Sequence, residues 1–139
     1  MPETPHRIVV SPDLAPPVGY AQAIVAAPGR TVYLGGQTAL NKQNEIEGET
    51  IVEQFQVAAN NVMTALRAAG GEAEHIVSMQ IFCRDVVEYK DSLRELGRVW
   101  KDNFGTHYPA SGLFGVTRLF DDPALVELMA IAVIPEEGA

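Results

Sequence analysis

Residues 125–134 read LVELMAIAVI, an apolar run interrupted by a single carboxylate, Glu127. A run of this length predicts a β-strand, and both of its alternating faces are apolar. A strand with two apolar faces must be covered on both sides. A chain of 139 residues offers few elements for the second cover. We therefore expect a second copy of the chain to cover one face of the sheet that contains this strand.

Glu127 is the one charged side chain in this run. Burying an ionised carboxylate costs several kcal/mol unless the charge is paired or hydrated. Glu127 should therefore either face a polar cleft or have a shifted pKa. The alternative is a structural role, in which Glu127 accepts a hydrogen bond or pairs with an arginine across an interface.

Length and hydropathy set the broad class of the protein. We expect one domain over residues 1–139, since this is an ordinary length for a single hydrophobic core. The N-terminus has no apolar signal segment, and no run of about 18 apolar residues occurs. The sequence therefore predicts neither secretion nor a membrane partner, and the cytoplasm is the expected location.

Charge and cysteine content exclude further classes. The chain has 18 acidic and 10 basic side chains, a formal net charge of −8, and no cluster of Lys or Arg. Because phosphate contacts supply most non-specific affinity for nucleic acids, this charge argues against a nucleic-acid partner. Cys83 is the only cysteine, which excludes an intrachain disulfide. Its setting predicts a buried strand position rather than a nucleophile.

The first half of the chain contains three predicted strands: Arg7 to Val10, Gln22 to Ala27 and Thr31 to Leu34. The last two are expected to form a hairpin around Pro28-Gly29-Arg30. A capping box of Thr50 and Glu53 predicts the start of the first helix. Its apolar side chains recur at helical spacing up to Gly70-Gly71.

The second half adds a strand from Ile76 to Cys83, a helix from the Asp85 cap to Phe104, and strands from Gly112 to Thr117 and Leu125 to Ile134. The predicted order is βββαβαββ, an α+β architecture in which two helices cover one face of a mixed sheet. Two helices cannot cover both faces. An oligomer that packs its sheet faces inward would cover the other one.

A series of short motifs extends along nearly the whole chain: Pro17 to Ala23, Leu34 to Gln37, Glu53-Gln54, Asn60 to Val62, Ala68 to Gly71, Tyr108 to Ala110 and Val126 to Ala132. In this order and spacing they resemble the reactive intermediate deaminases, also called the YjgF/YER057c/UK114 or L-PSP family. The resemblance implies the chorismate-mutase-like fold. It also implies a homotrimer, a trimeric barrel with the sheets inside and three clefts at the subunit interfaces.

In the best-characterised branch of that family, the clefts hydrolyse imines and enamines, such as 2-aminoacrylate, to keto acids and ammonia without a metal or cofactor. The resemblance implies that Glu127 positions the attacking water and that Tyr20 lines the pocket. Backbone groups near Gly36 and after Ser111 are implied to complete it. In that branch an arginine after the Pro-Ala pair clamps the substrate carboxylate in a bidentate contact.

Two substitutions depart from that branch. Ser111 stands where it has arginine, and Leu113 stands where it has cysteine. Each charge-assisted hydrogen bond contributes roughly 1.5 to 3 kcal/mol, so the loss of the clamp would weaken carboxylate binding by orders of magnitude. The chain therefore fits a branch with an altered pocket, in which Ser111 and Leu113 are candidate substrate-binding residues.

Structural alternatives exist for each pocket residue. Tyr20 could pack against the rim of the barrel, and Ser111 could be an ordinary hydroxyl at the start of a strand. No His or Asp lies at a triad spacing from Ser111, which argues against a nucleophile. Gly35 and Gly36 indicate close approach of the backbone to a ligand or to a neighbouring subunit.

Other titratable residues also have both a functional and a structural interpretation. His107 could act as an acid or base in the cleft, whereas a surface histidine before a strand is the commoner case. Arg84 and Arg118 could replace the missing cation or form ordinary salt bridges. No metal is expected, since His6, His75 and His107 lie in separate segments.

Three functions remain. The first is hydrolytic deamination of a reactive imine or enamine, aromatic or muconate-derived imines included, with Glu127 activating water and hydrogen bonds replacing the arginine clamp. The second is a trimer that binds a small metabolite without turnover. The third is the ribonuclease or translation-inhibitor label of some relatives, which the acidic charge disfavours. The sequence does not predict the substrate.

Overall fold

The computed structural model describes residues 4–136. Its strands and helices, in chain order, are β1 Arg7–Val9, β2 Ala23–Val25, β3 Gly29–Gln37, α1 Ile51–Ala68, β4 Ile76–Cys83, α2 Val86–Asp91, α3 Leu93–Phe104, β5 Ala110–Gly115 and β6 Val126–Pro135. A short 3-10 turn, Ala73–His75, precedes β4.

The main sheet has four strands in the order β3-β6-β4-β5. The apolar strand β6 lies inside it, antiparallel to both β3 and β4, and β5 runs parallel to β4 at the edge. β1 and β2 form a separate antiparallel pair. The predicted α+β class with a mixed sheet is confirmed.

The predicted hairpin between the second and third strands is wrong. β2 pairs with β1, while β3 pairs with β6 from Gly29 onward. The end of β2 is held by His6, whose Nδ1 accepts a hydrogen bond from the Ala27 N–H at 3.0 Å. Pro28, which follows, has no N–H to donate to a ladder. The turn at 28–30 therefore carries the chain from one sheet to the other.

The first helix begins as predicted. Thr50 Oγ1 accepts from the Glu53 N–H at 3.1 Å, and Glu53 Oε1 accepts from the Thr50 N–H at 3.1 Å, which completes the capping box. The two hydrogen bonds satisfy N–H groups that have no partner inside the helix. They fix the start of α1 against the loop that precedes it.

The second predicted helix is divided. The Asp85 cap is confirmed, with Asp85 Oδ1 accepting from the Glu88 N–H at 3.0 Å. The helix then breaks at Ser92 (φ −106°, ψ 12°) into α2 and α3, and serine commonly favours such non-helical turns. The following strand also differs, since β5 begins at Ala110, two residues before the predicted Gly112.

One face of the main sheet is packed against the helices. Its buried side chains include Leu34, Ile76, Met79, Ile81, Leu128 and Ala130. α1 packs on β3 and β6, and α3 packs on α1. On the opposite face, which we call the open face, Tyr33 is 78% exposed and Phe114 is 47% exposed. The predicted bare sheet face is therefore confirmed within the chain.

Buried Gln54 ties α1 to the start of β6. Its Nε2 donates to the carbonyl oxygens of Gly48 (3.1 Å) and Pro123 (2.9 Å), and its Oε1 accepts from the Leu125 N–H at 2.7 Å. Each of these backbone groups thereby gains a partner without water. The strand that carries Glu127 is thus anchored at Leu125, the residue that precedes it.

No helix within residues 4–136 is long and apolar enough to cross a membrane.

Candidate functional site

Glu127 lies on the open face of the sheet, near the start of β6, and is half-buried. The antiparallel register places Phe82 of β4 opposite Glu127, and the parallel register places Phe114 of β5 opposite Phe82. The two rings are stacked, with centroids 5.6 Å apart and an interplanar angle of 28°. A carboxylate and two aromatic rings therefore form one row across three neighbouring strands.

Gly36 lies directly against the Glu127 side chain. A Cβ atom added at Gly36 would overlap Glu127 Oε2 and would lie 3.0 Å from Glu127 Cδ. The β3–β6 register shifts between Leu34 and Gln37, which leaves Gly35 and Gly36 outside the regular ladder. The close backbone approach expected at Gly36 is therefore to a carboxylate of the same chain. At Gly35 an added Cβ would meet no atom within 4 Å.

The neighbouring arginines do not neutralise Glu127. The two ion pairs within residues 4–136 are Arg67–Glu72 and Arg118–Asp122. Arg84 also turns to this loop, donating from Nη1 to the Asp122 carbonyl oxygen at 2.8 Å. Arg84 and Arg118 thus hold the turn before β6. The salt-bridge alternative is confirmed for Arg118, whereas Arg84 binds a backbone carbonyl oxygen. Within the chain, the Glu127 carboxylate is available to a ligand or to another copy.

Ser111 and Leu113 lie on the other side of the sheet. Along β5 they alternate with the open-face residues, and their register partners on β4 are the core residues Met79 and Ile81. Leu113 packs against the hydrophobic core, and both side chains are half-buried. Their side chains therefore point toward the helix-covered side, away from Glu127.

Tyr20 lies beside the same edge strand. The next residue, Ala21, forms a parallel bridge with Ala110, and its N–H donates to the Pro109 carbonyl oxygen at 3.1 Å. Tyr20 is 40% exposed, so it remains accessible in one chain. The bridge holds Tyr20 next to the start of β5, where Ser111 follows Ala110.

The predicted site residues therefore form two groups in one chain. Gly36 and Glu127 are together at β3 and β6, and Tyr20 is near Ser111 and Leu113 at β5. β4 lies between β6 and β5, which separates the two groups by about 10 Å at the usual strand spacing. They also lie on opposite faces. A single site that contains all five residues would need two copies of the chain.

His107 is buried, and the prediction of a surface histidine is wrong. It is 4% exposed, and its Nε2 donates to the Ile76 carbonyl oxygen at 2.7 Å. Burial lowers the pKa of His107, and the hydrogen bond to Ile76 opposes this shift. Within residues 4–136 its Nδ1 has no hydrogen-bond partner. His107 joins the end of α3 to β4 and takes no part in the row that contains Glu127.

The lone cysteine is buried, as predicted. Cys83 lies in the core at the end of β4. Burial raises the pKa of its thiol, with a further contribution from Asp85. Because the thiolate is the reactive form, Cys83 is not an activated nucleophile.

The described residues contain no obvious metal centre. Over residues 4–136, no group of three or more His, Cys, Asp or Glu side chains is placed to share an ion. The open face carries a cavity of about 230 Å³ next to the Glu127 row, and its lining includes Tyr33, Ser78, Gln80 and Met129.

Sequence reasoning missed the aromatic part of the row. Neither Phe82 nor Phe114 was predicted as a site residue. Strand alternation could have placed Phe114. It lies an odd number of positions from Ser111, so the two side chains must point to opposite faces of the sheet. The contact between Phe82 and Phe114 depends on the parallel register, which the sequence does not display.

Comparison with known proteins gives consistent matches. The sequence model of the family described as Endoribonuclease L-PSP matches residues 11–134. A protein of Dermatophagoides farinae named 2-iminobutanoate/2-iminopropanoate deaminase is 32% identical over 133 residues, covering 94% of this chain and 98% of that protein. RutC family protein UK114 of Drosophila melanogaster is 31% identical over 130 residues, covering 92% of this chain and 89% of that protein.

A solved structure has the same fold. It is YyfB from Yersinia pestis, described as a protein of unknown function of the conserved Rid protein family. The TM-score is 0.82 with 24% sequence identity, and the alignment covers 93% of this chain and 98% of that chain.

Proposed function

Because the chain belongs to the Endoribonuclease L-PSP family of reactive intermediate deaminases, we propose that it hydrolyses a reactive imine or enamine to a carbonyl compound and ammonia. We propose further that the reaction takes place in clefts between the subunits of a homotrimer. The relative from Dermatophagoides farinae, named as an imine deaminase, supports the reaction class.

Glu127 is the observation that carries this proposal. It is a carboxylate on an uncovered sheet face, it has no ion-pair partner within residues 4–136, and glycine at position 36 keeps space for it. A base with these properties is able to accept a proton from water. A purely structural carboxylate would normally be paired or fully solvated.

The proposed chemistry needs only water and this base. Water attacks the imine carbon while Glu127 accepts one of its protons, so that a C–O bond forms and the C=N electron pair moves to nitrogen. Glu127 then returns the proton to nitrogen. As the C–N bond breaks and the carbonyl forms, Glu127 accepts the hydroxyl proton, which passes to the departing ammonia. No cofactor is part of the proposal.

Two features support the trimer with shared clefts. The open face presents large apolar side chains, Tyr33 and Met129 among them, which monomeric proteins rarely leave uncovered. In addition, the predicted site residues lie in two separate parts of the chain: Glu127 with Gly36, and Ser111 with Tyr20 and Leu113. A cyclic assembly joins one surface of a subunit to a different surface of the next, and so could bring these two parts together.

An ammonia-release assay tests the function. Wild type, Glu127→Gln and the matched control Glu95→Gln are compared on freshly generated 2-aminoacrylate and on a panel of larger imines. Glu95 is an exposed carboxylate of α3, so its substitution tests the loss of a charge alone. We expect wild type and Glu95→Gln to accelerate hydrolysis of at least one imine and Glu127→Gln to lose about 100-fold or more. Equal rates in all three proteins would refute the role of Glu127.

A second candidate is a trimer that binds a metabolite without turnover. Ser111, which replaces the carboxylate-binding arginine of the best-characterised branch, favours this alternative because it removes the expected anchor. Binding without ammonia release would support it. A ribonuclease is disfavoured by the net charge of −8. A cytoplasmic location stays a prediction.

A further inference from the structure

The aromatic pair beside Glu127 offers a binding surface of defined chemistry. Phe82 and Glu127 are directly opposed on antiparallel strands, where Cβ atoms lie about 4.5 to 5.5 Å apart. The Phe114 ring continues the row, 5.6 Å from the Phe82 ring between centroids. A group held against the carboxylate would therefore contact the Phe82 ring, and a longer group would reach Phe114.

Gly112 allows the Phe114 ring to lie across the strand. A Cβ atom added at Gly112 would lie 3.0 Å from Phe114 Cζ and 3.1 Å from Cε2. Phe114 nevertheless remains 47% exposed. Phe82 and Phe114, with Gly112 beneath the second ring, thus form an accessible apolar surface that we call the aromatic shelf.

The sheet rows that contain the shelf include no lysine or arginine. Three rows of open-face residues cross β6, β4 and β5, and Glu127 is the one charged side chain among them. With Tyr33 of β3, these residues are Ser78, Gln80, Phe82, Ala110, Gly112, Phe114, Glu127, Met129 and Ile131. Arg84 and Arg118 are bound to the turn at Asp122. A substrate carboxylate on the shelf would face a like charge, whereas a protonated imine nitrogen would pair with Glu127.

We propose that the site takes imines that carry an aromatic ring and no carboxylate. The ring lies on the aromatic shelf, and the protonated imine nitrogen lies beside Glu127, where both the carboxylate and the ring faces favour a cation. This inference rests on the proposed function in placing Glu127 in the cleft. Phe114 is then the residue that determines specificity, and the class of reaction that supplies the substrate is the oxidation of an aryl-substituted primary amine.

The reaction balances with water alone. A protonated aryl-alkyl imine, R–CH=NH2+, gains a C–O bond from water and loses its C–N bond, giving R–CHO and an ammonium ion. Neither oxidation nor reduction occurs. Glu127 accepts a water proton in the first step and returns it to nitrogen in the second. As the C–N bond breaks, Glu127 accepts the hydroxyl proton, which then passes to the departing ammonia.

Binding measurements test the ligand class without requiring turnover. Two probes are titrated calorimetrically: 2-phenylethylamine, which combines a ring with a cationic nitrogen, and pyruvate, which has a carboxylate and no ring. We expect wild type to bind the amine more tightly than pyruvate. Phe114→Ala should weaken amine binding about 5- to 10-fold, the usual contribution of an aromatic pair. Leu93→Ala, on an exposed position of α3, is the control and should bind as wild type does.

Phe114 could also support subunit packing, so a second variant separates the two roles. Phe114→Leu keeps apolar bulk and removes the ring, and its oligomeric state is measured beside that of wild type. We expect an unchanged oligomer with weakened amine binding. The inference is overturned if wild type binds pyruvate more tightly, or if Phe114→Leu binds the amine as wild type does.

Hydrolysis rates distinguish the proposed ligand class from the proposed deaminase activity. The imines of 2-phenylethylamine and of alanine are generated in the assay by amine and amino-acid oxidases. We expect kcat/KM to be at least about 10-fold higher for the aryl imine, and Phe114→Leu to raise KM more than it lowers kcat. A higher kcat/KM for the alanine imine would overturn the ligand class and leave the deaminase intact. Ring-dependent amine binding without hydrolysis of any imine would support the ligand class and refute the deaminase.

Discussion

Replacing Gly36 with alanine is the sharpest single test of the Glu127 geometry. The new Cβ would overlap Glu127 Oε2 and come within 3.0 Å of Cδ and 3.3 Å of Cγ. Since the atoms it meets belong to a flexible side chain, the carboxylate would move rather than the strand. Moving a side chain off its rotamer costs about 0.5 to 1.5 kcal/mol, so Gly36→Ala should remain folded.

Catalysis should suffer far more than stability. A shift of a catalytic group by about 1 Å costs on the order of 100-fold in rate, and we expect this loss in kcat/KM for Gly36→Ala. The assay is ammonia release from the best imine of the panel, with thermal unfolding measured in parallel. Gly35→Ala is the matched control, because its Cβ would meet no atom within 4 Å in the same bulge. It should keep wild-type activity.

A double-mutant cycle tests whether the effect acts through the carboxylate. In Glu127→Gln, which has already lost the base, adding Gly36→Ala should cause little further loss, since the two positions share one interaction. Wild-type activity in Gly36→Ala, or equal losses in Gly36→Ala and Gly35→Ala, would refute the argument.

Three further predictions concern the anchor of β6, the buried histidine and the missing cation. Gln54→Leu should lower the free energy of unfolding by about 2 to 4 kcal/mol, because it leaves the Leu125 N–H and two carbonyl groups without partners. Urea denaturation measures this loss. The control Gln56→Leu, at an exposed position of α1, should change the free energy of unfolding by less than about 0.5 kcal/mol. Burial lowers the pKa of His107 in the folded protein below its ordinary value of 6.5. Below that pH the unfolded chain therefore binds more protons than the folded protein. The free energy of unfolding of wild type should then fall as the pH drops from about 7 to 5. His107→Gln should reduce this pH dependence, and an unchanged slope would contradict the shift. Ser111→Arg should raise kcat/KM for a carboxylate-bearing imine about 10-fold or more; no gain would argue that Ser111 lies outside the cleft.

Local signals predicted the helix starts correctly. The Thr50–Glu53 capping box and the Asp85 cap involve residues three positions apart, so their hydrogen bonds depend on the chain only locally. The two apolar faces of β6, with only two helices to cover them, predicted the bare sheet face. The hairpin prediction was wrong because β2 is held by a residue distant in sequence, since the Ala27 N–H donates to His6 Nδ1.

The candidate site was predictable in part. The isolated carboxylate within an apolar strand identified Glu127, and glycine at position 36 indicated a close contact. The sequence did not predict that Gly36 lies against Glu127, since this contact depends on a register shift between β3 and β6. Strand alternation would have placed Ser111 on the face opposite to Phe114. The sequence motifs grouped Ser111 with Glu127 instead, and within one chain they are on opposite faces.

We propose that each cleft combines Glu127 of one subunit with Ser111 of the next. Complementation between two inactive variants tests this pairing. Glu127→Gln and Ser111→Trp subunits, each expected to be inactive alone, are refolded together and the mixed trimers are confirmed by native mass spectrometry. With equal mixing, roughly one quarter of the interfaces should carry both intact halves, and ammonia release should recover to about that fraction of wild type. Mixed trimers with no activity above that of the separate variants would contradict a shared cleft.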